Sequence, residues 1–210
     1  MNKKMSTFSW IIGAVILAIF LRVVFIGVFK VPTITMAPTL LAGDFIISNK
    51  LAYGIKEKNP ARGDVIVFVR SEKLGQYFIK RVVAVPGDVL EISAGELKIN
   101  GEKCVYVSEQ KIENFEIFTE TCLNSKRHIL RALTGQLKTP DLAPKTLKEG
   151  EFFVLGDNRD ASEDSRDWGP IAADQVSGKA QLIWLSVGST QDSISQEKGL
   201  RLSRFLTTIQ

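Results

Sequence analysis

The chemistry of this chain is suggested first by one lysine, Lys80. It lies in an apolar segment, residues 76–86, whose β-branched and aromatic residues predict a strand. Because side chains alternate across a strand, Lys80 points to the same side as Phe78 and Val82, which are expected in the core. Burial disfavours the ammonium form and lowers the pKa of a lysine, which makes a buried amine a usable general base near neutral pH. The ordinary alternative is a lysine whose stem covers the strand edge while its charge stays in water.

Two other segments combine polar groups in an order that ordinary loops lack. Residues 156–169 follow an apolar run and read Gly-Asp-Asn-Arg-Asp-Ala-Ser-Glu-Asp-Ser-Arg-Asp-Trp-Gly. Their composition alone is typical of a solvated acidic loop. Residues 31–40 read Val-Pro-Thr-Ile-Thr-Met-Ala-Pro-Thr-Leu and offer the hydroxyl groups of Thr33 and Thr35.

Together the three segments resemble the type I signal peptidases, membrane-anchored serine–lysine proteases that remove signal peptides from exported proteins. The family pattern Lys-Arg-x-x-x-x-Pro-Gly-Asp fits residues 80–88, and Gly-Asp-Asn-Arg-x-x-Ser-x-Asp-Ser-Arg fits residues 156–166. The pattern Pro-Ser-x-Ser-Met-x-Pro-Thr-Leu fits residues 32–40 with threonine at both serine positions. The resemblance extends from the N-terminal apolar segment to about Ser186, and three ordered blocks make it far more specific than a single motif.

The resemblance implies a role for each matching residue. Thr35 stands at the position of the nucleophilic serine, and Lys80 would be the general base that removes its proton. Ser162 would orient the lysine amine, while the backbone N–H of Thr35 and the hydroxyl of Thr33 would bind the oxyanion. The residues expected to brace this site through charged hydrogen bonds are Arg81, Asp157, Asp164 and Arg166.

The implied function is an endopeptidase that cleaves signal peptides at small-residue sites of the Ala-x-Ala kind. The alternative is a catalytically silent paralogue that binds signal peptides or membrane partners, because the extra methyl of Thr35 stiffens χ1 and crowds the site. A self-cleaving repressor shares the chemistry, but the N-terminal apolar segment and the lack of a helix-turn-helix pattern argue against it. No cofactor or metal is expected, and His128, the single histidine, is interpreted as a solvated loop residue.

The N-terminal segment, residues 1–29, predicts an uncleaved membrane anchor. Residues 8–29 are apolar except for Ser9 and Arg22, which is long enough for a span of about 20 residues. Lys3 and Lys4 then predict a cytoplasmic N-terminus by the positive-inside rule. Arg22 is placed near the outer interface, and residues 23–31 are expected to leave the membrane as a strand. The prediction is a single-pass protein of the cell (inner) membrane, in contact with lipid, whose catalytic domain is periplasmic or extracellular.

The charge distribution gives no reason to expect a nucleic-acid partner. The formal net charge is +4, and three of these positive charges come from the lysines and the arginine of residues 1–29, which contain no acidic residue. The rest of the chain is therefore nearly neutral and lacks the basic excess of nucleic-acid-binding domains.

Residues 30–210 predict one mainly β domain with an antiparallel, partly barrel-like sheet. Asn100-Gly101 predicts a tight hairpin between strands at residues 97–99 and 104–107. Residues of about 103–148 are more polar and less regular, which suggests an inserted subdomain. This insertion contains both cysteines, Cys104 and Cys122, which either form a disulfide in an oxidising compartment or remain two separate thiols. The other predicted strands are residues 44–47, 64–69, 152–155 and 180–184.

Overall fold

In the described residues, one long helix precedes a β structure whose paired strands run antiparallel. The computed structural model describes residues 7–53, 59–70, 75–123, 125–133, 141–188, 194 and 197–210. Helix α1 spans Thr7–Phe25, and the chain passes directly into the first strand at Ile26. The predicted change from helix to strand is thus confirmed, although it occurs three residues later than expected.

The transmembrane helix predicted within residues 1–29 is not found. In the part of the chain that the structure describes, no helix is both long enough and apolar enough to cross a membrane. The apolar run is instead divided, because α1 ends at Phe25 and the remaining residues pair with a neighbouring strand. Lys3 and Lys4, on which the predicted orientation depends, lie outside the described residues.

Sixteen strands and short helical turns follow α1 in the described ranges. The strands are β1 Ile26–Lys30, β2 Asp44–Asn49, β3 Val65–Val69, β4 Tyr77–Ala84, β5 Val89–Ser93, β6 Glu96–Ile99, β7 Glu102–Lys103, β8 Val105–Ile112, β9 Phe115–Cys122, β10 Ser125–Ala132, β11 Leu142–Thr146, β12 Glu151–Leu155, β13 Ile171–Ala172, β14 Val176–Gly188, β15 Gly199–Leu200 and β16 Thr207–Thr208. The helical turns are α2 Ser165–Trp168 and two 3₁₀ turns, Ala173–Gln175 and Leu202–Arg204.

The main sheet has the order β1-β2-β14-β3-β4-β12-β13, with β15 and β16 also paired to β14. Strand β4 therefore lies between β3 and β12, inside the sheet. Buried residues pack on both faces of β4, with Val82 in one core cluster and Val83 in another. This arrangement explains why Lys80 and its neighbour Arg81 are both buried although their side chains point to opposite faces.

The Asn-Gly hairpin is confirmed, but its second strand differs from the prediction. Asn100 and Gly101 have φ values of 54° and 85°, the left-handed conformation that such a two-residue turn requires. They join β6 to the two-residue strand β7, and the chain then leaves this sheet. Val105, expected to continue the hairpin, begins β8 in a separate three-stranded sheet.

The segment of residues 103–148 is more regular than its polar composition suggested. It contributes three eight-residue strands in the order β10-β9-β8 and strand β11 of a second small sheet. The pairing of β8 with β9 brings Cys104 and Cys122 together, and they form a disulfide bond. The division into a domain of residues 30–210 with an insertion at about 103–148 stays a prediction.

Candidate active site

The loop between β1 and β2 carries the two predicted hydroxyl residues. Met36 and Leu40 are buried in a core cluster beneath it, and they anchor the loop to the sheet. Thr33 is exposed and Thr35 is partly exposed on the opposite side. Their hydroxyl oxygens lie 3.2 Å apart, within hydrogen-bonding distance. The alternation of apolar and hydroxyl residues in this loop thus turns the hydroxyl groups away from the core.

Lys80 is buried on β4, as the alternation of that strand predicted, with 3% of its surface exposed. Its Nζ donates a hydrogen bond to Ser162 Oγ at 2.8 Å. Burial lowers the pKa of Lys80 to about 8, although the nearby Asp164 carboxylate acts in the opposite direction. A substantial fraction of Lys80 is therefore the free amine already at pH values slightly above neutral.

Ser162 is held by the loop of residues 156–164, which connects β12 to α2. Asp164 caps α2 and accepts hydrogen bonds from the Gly156 N–H at 2.9 Å and from Arg166 Nε at 2.7 Å. Arg166 in turn donates to the carbonyl oxygens of Arg159 at 2.7 Å and Ser162 at 3.3 Å. Asp164 and Arg166 thus fix the conformation of the loop, and Ser162 makes the contact with the lysine.

Gly156 allows a close approach of two of the site segments. A Cβ atom at this position would lie 2.1 Å from Ser162 Oγ and 2.5 Å from the carbonyl oxygen of Thr35. Any side chain here would push the Ser162 hydroxyl or the Thr35 backbone out of place. The glycine therefore lets the loop that carries Ser162 pack directly against the loop that carries Thr35.

Arg81 and Asp157 form a buried ion pair behind the cavity. The guanidinium donates through Nε to Asp157 Oδ1 at 2.8 Å and through Nη2 to Oδ2 at 2.7 Å, a bidentate arrangement. Thr39 Oγ1 donates to the same carboxylate at 2.5 Å, and Arg81 Nη1 donates to the Gly63 carbonyl at 2.7 Å. This pair connects β4 to both site loops, which places it in the predicted bracing position.

The central residues share one cavity of about 350 Å³. Thr33, Thr35 and Lys80 line it together with apolar side chains of β1, β4 and the first loop. The structure thus brings together all eight predicted residues, four around the cavity or in contact with Lys80 and four behind them. Within the described residues, however, the Thr35 hydroxyl hydrogen-bonds to Thr33 and the Lys80 amine to Ser162, so the two are not bonded to each other.

One residue of the site, and one buried ion cluster that holds the same loop through Arg159, were not identified from the sequence. Asn158 donates from its backbone N–H to the Thr35 carbonyl at 3.1 Å and from Nδ2 to the Ile34 carbonyl at 3.2 Å. Its place inside the motif of residues 156–166 was the available signal.

Glu120 is buried against Arg127 and Arg159, and burial opposes its ionisation. The two guanidinium groups nevertheless hold the pKa of Glu120 well below its usual range. No local pattern marks Glu120, because Arg159 lies 39 residues away.

Comparisons with known proteins give a consistent family. Residues 4–185 match the family described as signal peptidase, peptidase S26. Signal peptidase I of Rickettsia bellii strain OSU 85-389 is 32% identical over 222 residues, covering 90% of this chain and 76% of that protein. Signal peptidase I of Pseudomonas fluorescens is 34% identical over 191 residues, covering 79% and 67%. Signal peptidase I of Aquifex aeolicus strain VF5 is 32% identical over 222 residues, covering 89% and 85%.

A solved structure of a signal peptidase I from Enterococcus faecalis V583 also matches. It is 28% identical and aligns with a TM-score of 0.36, over 58% of this chain and 97% of that one.

Proposed function

The chain belongs to the signal peptidase family, peptidase S26, and we propose that it cleaves signal peptides from exported preproteins with a Thr35–Lys80 dyad. The observation that carries the proposal is the state of Lys80. Its amine is buried, has a pKa lowered to about 8, and is hydrogen-bonded to Ser162. Lys80 also lines the same cavity as Thr35. An amine of this kind is a competent general base without a histidine.

The proposed chemical steps use the hydroxyl of Thr35 and the amine of Lys80. Neutral Lys80 accepts the proton of the Thr35 hydroxyl as Thr35 Oγ1 forms a bond to the scissile carbonyl carbon. The Thr35 N–H and the Thr33 hydroxyl hydrogen-bond to the oxyanion that develops. Lys80 then gives its proton to the leaving amine as the C–N bond breaks, leaving an ester on Thr35. Water hydrolyses this ester, with Lys80 again the base, and Ser162 keeps the amine oriented throughout.

The cavity supports a preference for apolar residues at the cleavage site. Phe29, Val31, Phe78 and Ile79 line it beside the dyad, and the volume of about 350 Å³ is shared with the two threonine hydroxyls. Apolar walls favour an alanine methyl over a polar side chain. We therefore propose cleavage at sites of the Ala-x-Ala kind.

A silent paralogue is the second candidate, and one observation favours it. The Thr35 hydroxyl lies 3.2 Å from the Thr33 hydroxyl, while the Lys80 amine donates to Ser162. Proton transfer requires Thr35 to turn toward Lys80, and its Cβ methyl restricts that χ1 rotation. In this case the protein would bind signal peptides without cleaving them.

The two candidates are separated by three variants tested on one preprotein in detergent. Native protein should cleave it, and Thr35→Ala and Lys80→Met should not. Thr35→Ser should match or exceed native turnover, and a tenfold gain would correspond to about 1.4 kcal/mol of barrier. Cleavage by Thr35→Ser alone would identify a paralogue silenced by one methyl group. Native-like cleavage by Thr35→Ala would exclude Thr35 as the nucleophile.

We also propose that the protein contacts lipid and works outside the cytoplasm. Helix α1 presents large apolar side chains to solvent, including Phe8, Trp10 and Phe20, each more than half exposed. Such a surface is favourable against acyl chains and unfavourable in water. The Cys104–Cys122 disulfide suits an oxidising compartment. Lipid contact would keep the cavity close to membrane-bound signal peptides.

A further inference from the structure

The peptide unit between Ile34 and Thr35 is held from one side. The Ile34 carbonyl oxygen accepts from the Ala37 N–H at 3.0 Å and from Asn158 Nδ2 at 3.2 Å. In a planar trans peptide, the carbonyl of one residue and the N–H of the next point in opposite directions. Fixing the Ile34 oxygen therefore also fixes the direction of the Thr35 N–H.

The residues around Ile34 and Thr35 show the direction in which the Thr35 N–H points. The Ile34 side chain packs against a buried cluster that includes Leu130, on the side of Asn158. Thr35 lines the cavity that contains Lys80. In the described part of the chain the Thr35 N–H has no hydrogen-bond acceptor, while its carbonyl accepts from the Asn158 N–H at 3.1 Å. Asn158 thus holds the carbonyl groups on both sides of the Thr35 N–H.

We propose that the Asn158 side chain is a positioning residue that aims the Thr35 N–H into the cavity as an oxyanion donor. This inference rests on the proposed peptidase function. Asn158 is fully buried, and its Oδ1 has no hydrogen-bond partner among the described residues. The side chain therefore acts through its Nδ2 donor, which bonds to the backbone carbonyl of Ile34. Thr35, and not Asn158, lines the cavity.

The decisive substitution is Asn158→Asp, which keeps the size of the side chain and the backbone N–H. It replaces the Nδ2 donor by an oxygen that repels the Ile34 carbonyl, so the peptide is no longer held. We expect kcat to fall about tenfold, less than the roughly 100- to 1,000-fold loss when an oxyanion donor is itself removed. KM should change less than twofold, because the oxyanion exists in the transition state and not in the bound substrate.

Two further variants separate this effect from charge and from folding. Asn158→Ala removes the donor without adding a charge, and it should lower kcat in the same way when measured at pH 9.5, where Lys80 is neutral. Asp160→Asn is the matched control, since this residue lies on the same loop but accepts from the Ala132 N–H at 2.8 Å, away from Ile34. Its kcat should stay native. A rise in KM with unchanged kcat in the Asn158 variants would overturn the proposal.

A second readout does not depend on turnover. The amide resonance of Thr35 in ¹H–¹⁵N spectra reports the environment of its N–H, and it should move in Asn158→Asp and stay in place in Asp160→Asn. An unmoved Thr35 amide in Asn158→Asp overturns the positioning role whatever the activity.

The kinetic comparison is made in native protein, or in Thr35→Ser if only that variant cleaves. If neither cleaves, the proposed function fails, and the amide resonance alone decides the role of Asn158.

Discussion

Replacing Lys80 by methionine should make the protein inactive and more stable. The pKa of Lys80 falls from its ordinary value of 10.5 to about 8 in the folded protein, chiefly because of burial. Below pH 8 the unfolded chain and the folded protein both hold the proton, and folding must bury the charge. Between pH 8 and 10.5 the unfolded chain binds more protons than the folded protein, so stability rises with pH across this window. Above pH 10.5 the destabilisation is gone.

The magnitude follows from the size of the pKa shift. A change from 10.5 to about 8 corresponds to roughly 3 kcal/mol of destabilisation at pH 7. Methionine removes this destabilisation because it carries no charge, and its flexible side chain fills a similar space. The substitution also removes the hydrogen bond to Ser162, which contributes about 1 kcal/mol. Lys80→Met should therefore gain about 2 kcal/mol at pH 7, and this gain should disappear by pH 11.

Urea unfolding at several pH values between 7 and 11 measures this difference. Native protein is compared with Lys80→Met and with Lys103→Met, a control on β7 whose side chain is exposed. The control should follow the native protein at every pH. The reasoning about burial is refuted if Lys80→Met is no more stable than native protein at pH 7, or if its gain is the same at pH 7 and pH 11.

The remaining predictions concern catalysis, the buried ion cluster and location. With a pKa of about 8, roughly a tenth of Lys80 is neutral at pH 7 and nine-tenths at pH 9, so turnover should rise about tenfold. A flat profile over this range would contradict the lysine base. Glu120→Gln leaves two buried guanidinium groups without a carboxylate and should destabilise by about 3–5 kcal/mol in urea unfolding, whereas a loss under 1 kcal/mol would mean that the cluster is already neutralised elsewhere. Protease added outside spheroplasts should digest the chain beyond residue 30, and protection of that region would place the domain in the cytoplasm.

Features that depend on near neighbours in the chain were predictable. The burial of Lys80 follows from the two-residue repeat of its strand, and the Asn100-Gly101 turn follows from the left-handed conformation that these residues tolerate. The outward direction of the two threonine side chains in the first loop was predictable in the same way. The neighbouring Met36 is buried in the core, so the threonines lie on the opposite side of the loop. These are local steric properties, so no knowledge of distant contacts was needed.

Two features that composition gave only roughly were decided by strand pairing. The apolar run near the N-terminus changes from helix to strand as expected, but at Ile26, three residues later, because its last part pairs with β2 in the main sheet. The polar segment that contains Cys104 forms long regular strands, which pair antiparallel and carry cross-strand side-chain bonds such as Ser108–Glu116 and Arg127–Glu120. Pairing with a partner strand, and not intrinsic preference, decided both outcomes.

The sequence by itself determined the family, the two loop hydroxyls and the inward direction of Lys80, because each depends on residue types at short, fixed spacings. Residue spacing did not connect Lys80 to Ser162, 82 residues away, a contact that only the family resemblance implied. The tertiary structure alone decided that Asn158 reaches Ile34, 124 residues away. It also decided that Arg81 is buried as well as Lys80, since a strand inside a sheet is covered on both faces. Contacts between distant segments depend on how sheets pack and which strands become neighbours, and alternation along one strand carries no information about either.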